Sequence, residues 1–161
     1  MNQTIFVKQI QIEDFTNYKK PSMFIGFSKC TWKCERECGM RVCQNSALAT
    51  AKTLGIDVNK LVNIYLNNPI TKSIVCGGLE PFDTMDDLEK LVVALRNNTD
   101  DDIVIYTGYK EEEIVDEVKW LSQFPNIIIK FGRFVPNQEQ HYDDVLGVKL
   151  ASDNQYAKKI S

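Results

Sequence analysis

From Ser22 onward, short runs of β-branched and apolar residues alternate with segments of helical periodicity, and that order admits few folds. Residues 22–27, 73–76, 103–106 and 126–130 are apolar on both faces, as strands covered on two sides must be. Between them, Asp57 is placed to cap a helix carrying Val58, Leu61, Val62 and Leu66, which Asn67-Asn68-Pro69 stops. Asp83 or Thr84 starts a second helix with Leu88, Leu91, Val92 and Leu95 on one face. Ile114, Val115, Val118 and Leu121 mark a third. Strands that alternate with helices in this way pack as a mostly parallel sheet with right-handed crossovers, an α/β fold. Residues 4–12 add a strand at the start, and 145–150 read as the last one. Asn45 or Ser46 is expected to open a short helix through Lys52, with Gly55 ending it. No linker or repeat interrupts the chain, so residues 1–161 are expected to form one domain.

In such sheets ligands sit beyond the carboxyl ends of the strands. Three unusual loops follow strands here: residues 28–45, Gly77-Gly78-Leu79-Glu80-Pro81, and Thr107-Gly108-Tyr109. They are expected to meet around one site.

The first loop holds Cys30, Cys34, Cys38 and Cys43, four of the chain's five cysteines. The net charge of −3 gives no basic footprint for nucleic acid. No apolar run approaches the roughly 20 residues of a membrane span, and the first residues do not read as a secretory signal. The chain therefore reads as cytoplasmic, with no membrane partner, in a compartment that keeps thiols reduced. There, clustered cysteines point to metal or redox chemistry, and an odd cysteine count disfavours a pure disulfide framework.

Thiolates suit zinc, copper(I) or iron–sulfur clusters. Structural zinc sites usually pair their ligands across a long spacer, whereas these four lie in one contiguous loop, and His141, the single histidine, is distant in sequence. An iron–sulfur cluster fits better, with a four-sulfur zinc site as the alternative. Four ligands would close the cluster for electron transfer; three would leave one iron open to a substrate. Spacing alone does not separate these.

Cys30-Thr31-Trp32-Lys33-Cys34 followed by Cys43-Gln44-Asn45 resembles the signature of the radical S-adenosylmethionine superfamily, in which three cysteines bind a 4Fe–4S cluster. Trp32 stands where that pattern often has an aromatic residue, and Asn45 where it often has asparagine. The family spacing is C-x3-C-x2-C; here eight residues separate Cys34 from Cys43, and the insert holds Cys38. Cys43 is taken as the third ligand because it carries the Gln44-Asn45 flank. Gly77-Gly78-Leu79-Glu80-Pro81 resembles the Gly-Gly-Glu-Pro motif, with Leu79 as an extra residue. Ile105-Tyr106-Thr107-Gly108-Tyr109, Phe131-Gly132-Arg133-Phe134 and Ser152-Asp153-Asn154-Gln155 are similar to segments of the small anaerobic ribonucleotide reductase activating proteins, so the resemblance runs over nearly the whole chain.

The resemblance implies a partial (β/α) barrel with Cys30, Cys34 and Cys43 as iron ligands. It implies S-adenosylmethionine bound by Trp32, Asn45, Gly77, Gly78, Glu80, Tyr106, Thr107 and Gly108, with Glu80 and the glycine backbone holding the amino group of its methionine moiety. It further implies reductive cleavage of that molecule to a 5′-deoxyadenosyl radical. That radical would make a glycyl radical on a large anaerobic ribonucleotide reductase subunit, with an external reductant such as flavodoxin. The alternatives are an activase of another glycyl radical enzyme and a non-catalytic iron–sulfur electron carrier or zinc module.

Other residues have simpler readings. Cys76 ends a strand and reads as core. Asp100-Asp101-Asp102 reads as a solvated turn, His141 as exposed, and Asn154 and Gln155 as part of a disordered terminus.

Overall fold

The computed structural model describes residues 3–29 and 51–161. The strands are β1 (Thr4–Asp14), β2 (Ser22–Phe27), β3 (Leu54–Asp57), β4 (Ser73–Gly77), β5 (Asp102–Tyr106), β6 (Ile127–Phe131), β7 (His141–Asp143), β8 (Val148–Leu150) and β9 (Tyr156–Lys159). The helices are α1 (Val58–Leu66), α2 (Met85–Arg96) and α3 (Val115–Leu121). Seven strands form one sheet in the order β3-β1-β2-β4-β5-β6-β9, and β7 and β8 form a separate hairpin. The centre of the sheet, β2-β4-β5-β6, is parallel throughout. Antiparallel partners flank it: β1 with β3 on one side, β9 on the other. The fold is thus mixed α/β with a mostly parallel central sheet.

The strands are apolar on both faces because both faces are covered. Ile74 and Cys76, Ile103 and Ile105, and Ile127 and Ile129 point into the main core, against Leu61 of α1, Leu88 and Leu91 of α2, and Leu121 of α3. The residues between them, Val75, Val104 and Ile128, face the other way and pack with Tyr18, Leu146, Leu150 and Ala157. This is the period of two of a pleated strand. Among the described residues the second face is closed by the 15–20 segment and the β7–β8 hairpin rather than by helices, and Lys19 N–H donates to Leu146 O at 2.8 Å across that contact.

Helix α1 starts as expected: the Asp57 carboxylate accepts from the Asn59 and Lys60 N–H groups. Its inner face uses Tyr65 rather than Leu66, which is exposed. Lys52 is not helical and Gly55 lies inside β3, paired with Phe6, so Gly55 ends no helix; the rest of the expected short helix, 45–50, lies outside the described residues. The 145–150 run yields only the short β8 of the side hairpin, because Asp143 accepts from Leu146 N–H and turns the chain there. The last strand of the sheet is β9, further along. Asp102 opens β5 instead of sitting in a solvated turn. Tyr18 and Lys20 both donate to its carboxylate, and Tyr65 donates to Asp101. His141 is half-buried in β7.

Candidate functional site

Because β2, β4, β5 and β6 run in parallel, the chain leaves all four at the same end of the sheet. The cysteine segment is pinned there at both of its ends. Val7 of β1 is in register with Phe27, the last residue of β2, and also with Leu54, the first residue of β3. Residues 28–53 are therefore an excursion that leaves and returns on either side of Val7. Lys8 Nζ donates to Ala51 O at 2.6 Å on the returning side.

The glycine loop is stitched to the outgoing side. Leu79 N–H donates to Phe27 O and Glu80 N–H to Lys29 O, both at 2.8 Å. The loop thus lies against the residue immediately before Cys30. Leu79, the extra residue of the motif, supplies one of the two bonds. Gly77 packs closely under Phe24: a Cβ there would lie 2.9 Å from the ring, which would have to shift.

Glu80 joins the second loop to the third. Its carboxylate accepts from Thr107 Oγ1 at 2.9 Å, from Gly108 N–H at 2.8 Å and from Phe82 N–H at 3.1 Å. Glu80 and Thr107 are both buried. Burial pushes the Glu80 carboxyl up to about 7, against the pull of these hydrogen bonds, and Asp83 adds to the rise. All of the Glu80 partners just named belong to the chain itself, so the side chain acts as a strut between loops.

Tyr106 faces the second side of the sheet. Its hydroxyl donates to Asn17 O at 2.6 Å, and its ring lies 5.6 Å from Lys130 Nζ. Burial raises its pKa well above the ordinary tyrosine value. Thr107 Oγ1 accepts from Tyr109 N–H, and Tyr109 OH donates to Asp83. The structure therefore brings together Gly77, Gly78, Glu80, Thr107 and Gly108, and sets Tyr106 beside them on the second face with its hydroxyl engaged elsewhere. Cys30, Trp32, Cys34, Cys43 and Asn45 lie outside the described residues.

A cavity of about 550 Å³ opens beside this cluster, lined among others by Phe6, Ser28, Lys29, Asp83 and Asp87. Asp87 lies on the inner side of α2, and its carboxylate accepts from Phe6 N–H at 3.1 Å. Nothing in the helical periodicity distinguished this aspartate from its exposed neighbours. Asp83 was expected only as a helix start and Tyr109 only as part of its loop; the contact between them joins residues far apart in the chain and had no local signal.

Cys76 is a core residue, as expected. It is fully buried in β4, and burial lifts its thiol to about 12. Among the described residues no group of three His, Cys, Asp or Glu could hold a metal ion. The other four thiols all lie between positions 30 and 43 of the sequence, after Lys29. Residues 21–156 match the family described as a 4Fe-4S single cluster domain. The chain belongs to that family. Neither the curated proteins nor the solved structures yield a match.

For a 4Fe–4S single cluster domain the donor set fits. The cluster needs soft thiolates, the chain offers four close together, and the fifth is withheld in the core. Among the described residues no helix is long and apolar enough to cross a membrane.

Proposed function

We propose that this 4Fe–4S protein is a radical S-adenosylmethionine activase that generates a glycyl radical on a large anaerobic ribonucleotide reductase. The observation that carries the reading is the pair of bonds from Leu79 and Glu80 to Phe27 and Lys29, which seats the glycine loop beside the cysteine segment. An electron carrier has no need of a ligand-holding loop there; an enzyme that binds a substrate at an open iron does. The motif resemblance supplies the identity of that substrate.

In this reading Cys30, Cys34 and Cys43 hold the cluster. When bound, the cluster supplies the low-potential electron for cleavage of the carbon–sulfur bond. The chain's own residues bind and shield. Gly77 and Gly78 present backbone to the amino group of the methionine moiety, with Trp32 and Asn45 on the cysteine side and Tyr106, Thr107 and Gly108 on the other. Glu80 fixes the distance between the two loops and fills the space under them, which keeps water from the reacting end. The four parallel strands are the wall of the partial (β/α) barrel in this reading. A flavodoxin-like reductant and the reductase subunit are the proposed partners, in the cytoplasm.

The test is anaerobic reconstitution followed by iron analysis and electron paramagnetic resonance of the reduced protein, with and without S-adenosylmethionine. The expected result is one 4Fe–4S cluster whose spectrum changes on adding the compound. Zinc without iron, or a spectrum indifferent to the compound, refutes the reading. Mixing with the reductase and a reductant should then give a glycyl radical signal; its absence with a responsive cluster would point to another glycyl radical partner.

A further inference from the structure

The segment 152–155, between β8 and β9, ties together parts of the chain well beyond itself. Ser152 is fully buried and Gln155 nearly so. The segment is internally tied: Ser152 N–H donates to Gln155 Oε1 at 3.1 Å, Ser152 Oγ to Asn154 Oδ1 at 2.7 Å, and Gln155 N–H to Ser152 O at 3.2 Å. Both amide side chains then donate outward to consecutive carbonyls just past β6. Asn154 Nδ2 reaches Arg133 O at 2.8 Å, and Gln155 Nε2 reaches Gly132 O at 3.2 Å. Gly132 O also accepts from the buried Lys130 ammonium at 3.0 Å. Gly132 has φ +105°, and a Cβ there would press on Asn154 and Gln155, so glycine is needed for this approach.

The held segment in turn holds the loop after β5. Gly132 N–H donates to Tyr109 O at 3.0 Å, and Thr107 N–H donates to Lys130 O at 2.9 Å. Arg133, itself buried, pairs with Glu113 at 2.7 Å, and its guanidinium lies 6.0 Å from the Tyr109 ring centre. Thr107 and Gly108 then grip Glu80. Three bonded steps thus connect the tail to the glycine loop: tail to Gly132 and Arg133, Gly132 to Tyr109, and Thr107 with Gly108 to Glu80.

We propose that Asn154 and Gln155 are positioning residues for the ligand site, fixing the loop after β6 and through it the loops that receive the ligand. Taking S-adenosylmethionine as that ligand rests on the proposed function; the mechanical linkage does not. Asn154 is the residue to change, because its own surface is exposed and its loss leaves the core intact. In Asn154→Ala and Asn154→Asp the donation to Arg133 O is gone. Lys158→Ala, which breaks only the exposed pair with Glu111, is the control on the same terminal segment.

Two measurements on the reconstituted protein decide the matter. Titration of the cluster spectrum with S-adenosylmethionine should show a midpoint raised about three- to ten-fold in both Asn154 variants, the factor of one ordinary hydrogen bond, and unchanged in Lys158→Ala. Amide exchange without ligand should be faster at Gly108, Tyr109 and Gly132 in the Asn154 variants, with iron content equal to wild type. A responsive wild type with unchanged midpoints and unchanged exchange in the variants overturns the positioning role alone. A wild type that ignores S-adenosylmethionine overturns the proposed function and the ligand named here with it, while faster exchange at those amides would still uphold the linkage.

Discussion

Replacing Glu80 by glutamine tests the strut directly, through the pH dependence of stability. The folded carboxyl titrates near 7 rather than at its ordinary 4.5, and burial is the largest cause. Between those values the folded chain holds a proton that the unfolded chain has lost. The Thr107 hydroxyl, 2.9 Å from both carboxylate oxygens, can turn to accept that proton. A group whose folded pKa is raised contributes its full stability below the unfolded value and loses it as pH rises through the folded one. At about 1.4 kcal/mol per pH unit, the gap corresponds to about 3 kcal/mol. The assay is guanidinium unfolding of reduced, metal-free wild type and Glu80→Gln, side by side from about pH 5 to pH 8. Wild type should lose about 3 kcal/mol relative to the variant over that interval, most of it between about pH 5 and pH 7. Asp102 and Glu111 do not blur the comparison. Burial raises Asp102, but the bonds from Lys20 and Tyr18 outweigh it and hold the group low; Lys158 holds Glu111 low, and both titrate below this range. Two curves that stay parallel across the whole interval would refute the account of Glu80 as a buried, proton-sharing strut.

Gly77→Ala should cost about 1–3 kcal/mol, because the new methyl must displace the Phe24 ring; an unchanged denaturation midpoint would show that the ring yields freely. Cys43→Ala should abolish the S-adenosylmethionine-responsive cluster while Cys38→Ala retains it, read by iron content and the spectrum of the reduced protein. The reverse pattern would make Cys38 the third ligand. Cys76→Ala should leave iron content at the wild-type level, since that thiol is sealed in the core; a loss of iron without a loss of fold would contradict its assignment.

What could be read from the sequence, and what could not, divides along the range of the interactions. The central strands were legible because two-sided burial demands continuous apolar runs, and 73–76, 103–106 and 126–130 have little else. Helix α1 was legible because its cap, Asp57, acts on the next turn. Strand β3 was not: Leu54-Gly55-Ile56-Asp57 carries a glycine and an aspartate, and it is a strand only because β1 offers it an edge. Strand β9 was hidden the same way, since Tyr156, Lys158 and Lys159 point to solvent and Ala157 alone is buried. The site shows the same division. The motifs placed Gly77, Gly78 and Glu80 in one loop, and their order beside the strands brought Thr107 and Gly108 to the same end. The contacts of the Glu80 side chain were not legible, because it meets Thr107, Gly108 and Phe82 only through tertiary packing. Asn154 and Gln155 were misjudged for a related reason. Terminal polar residues are disordered by default, and what orders these is a pair of carbonyls left beyond β6 by a glycine at positive φ. Carbonyls shut away from water need donors from the protein, and the Asn154 and Gln155 amides supply them here. A motif near a terminus is therefore better weighed against the unpaired backbone of the loops it can reach than against its own composition.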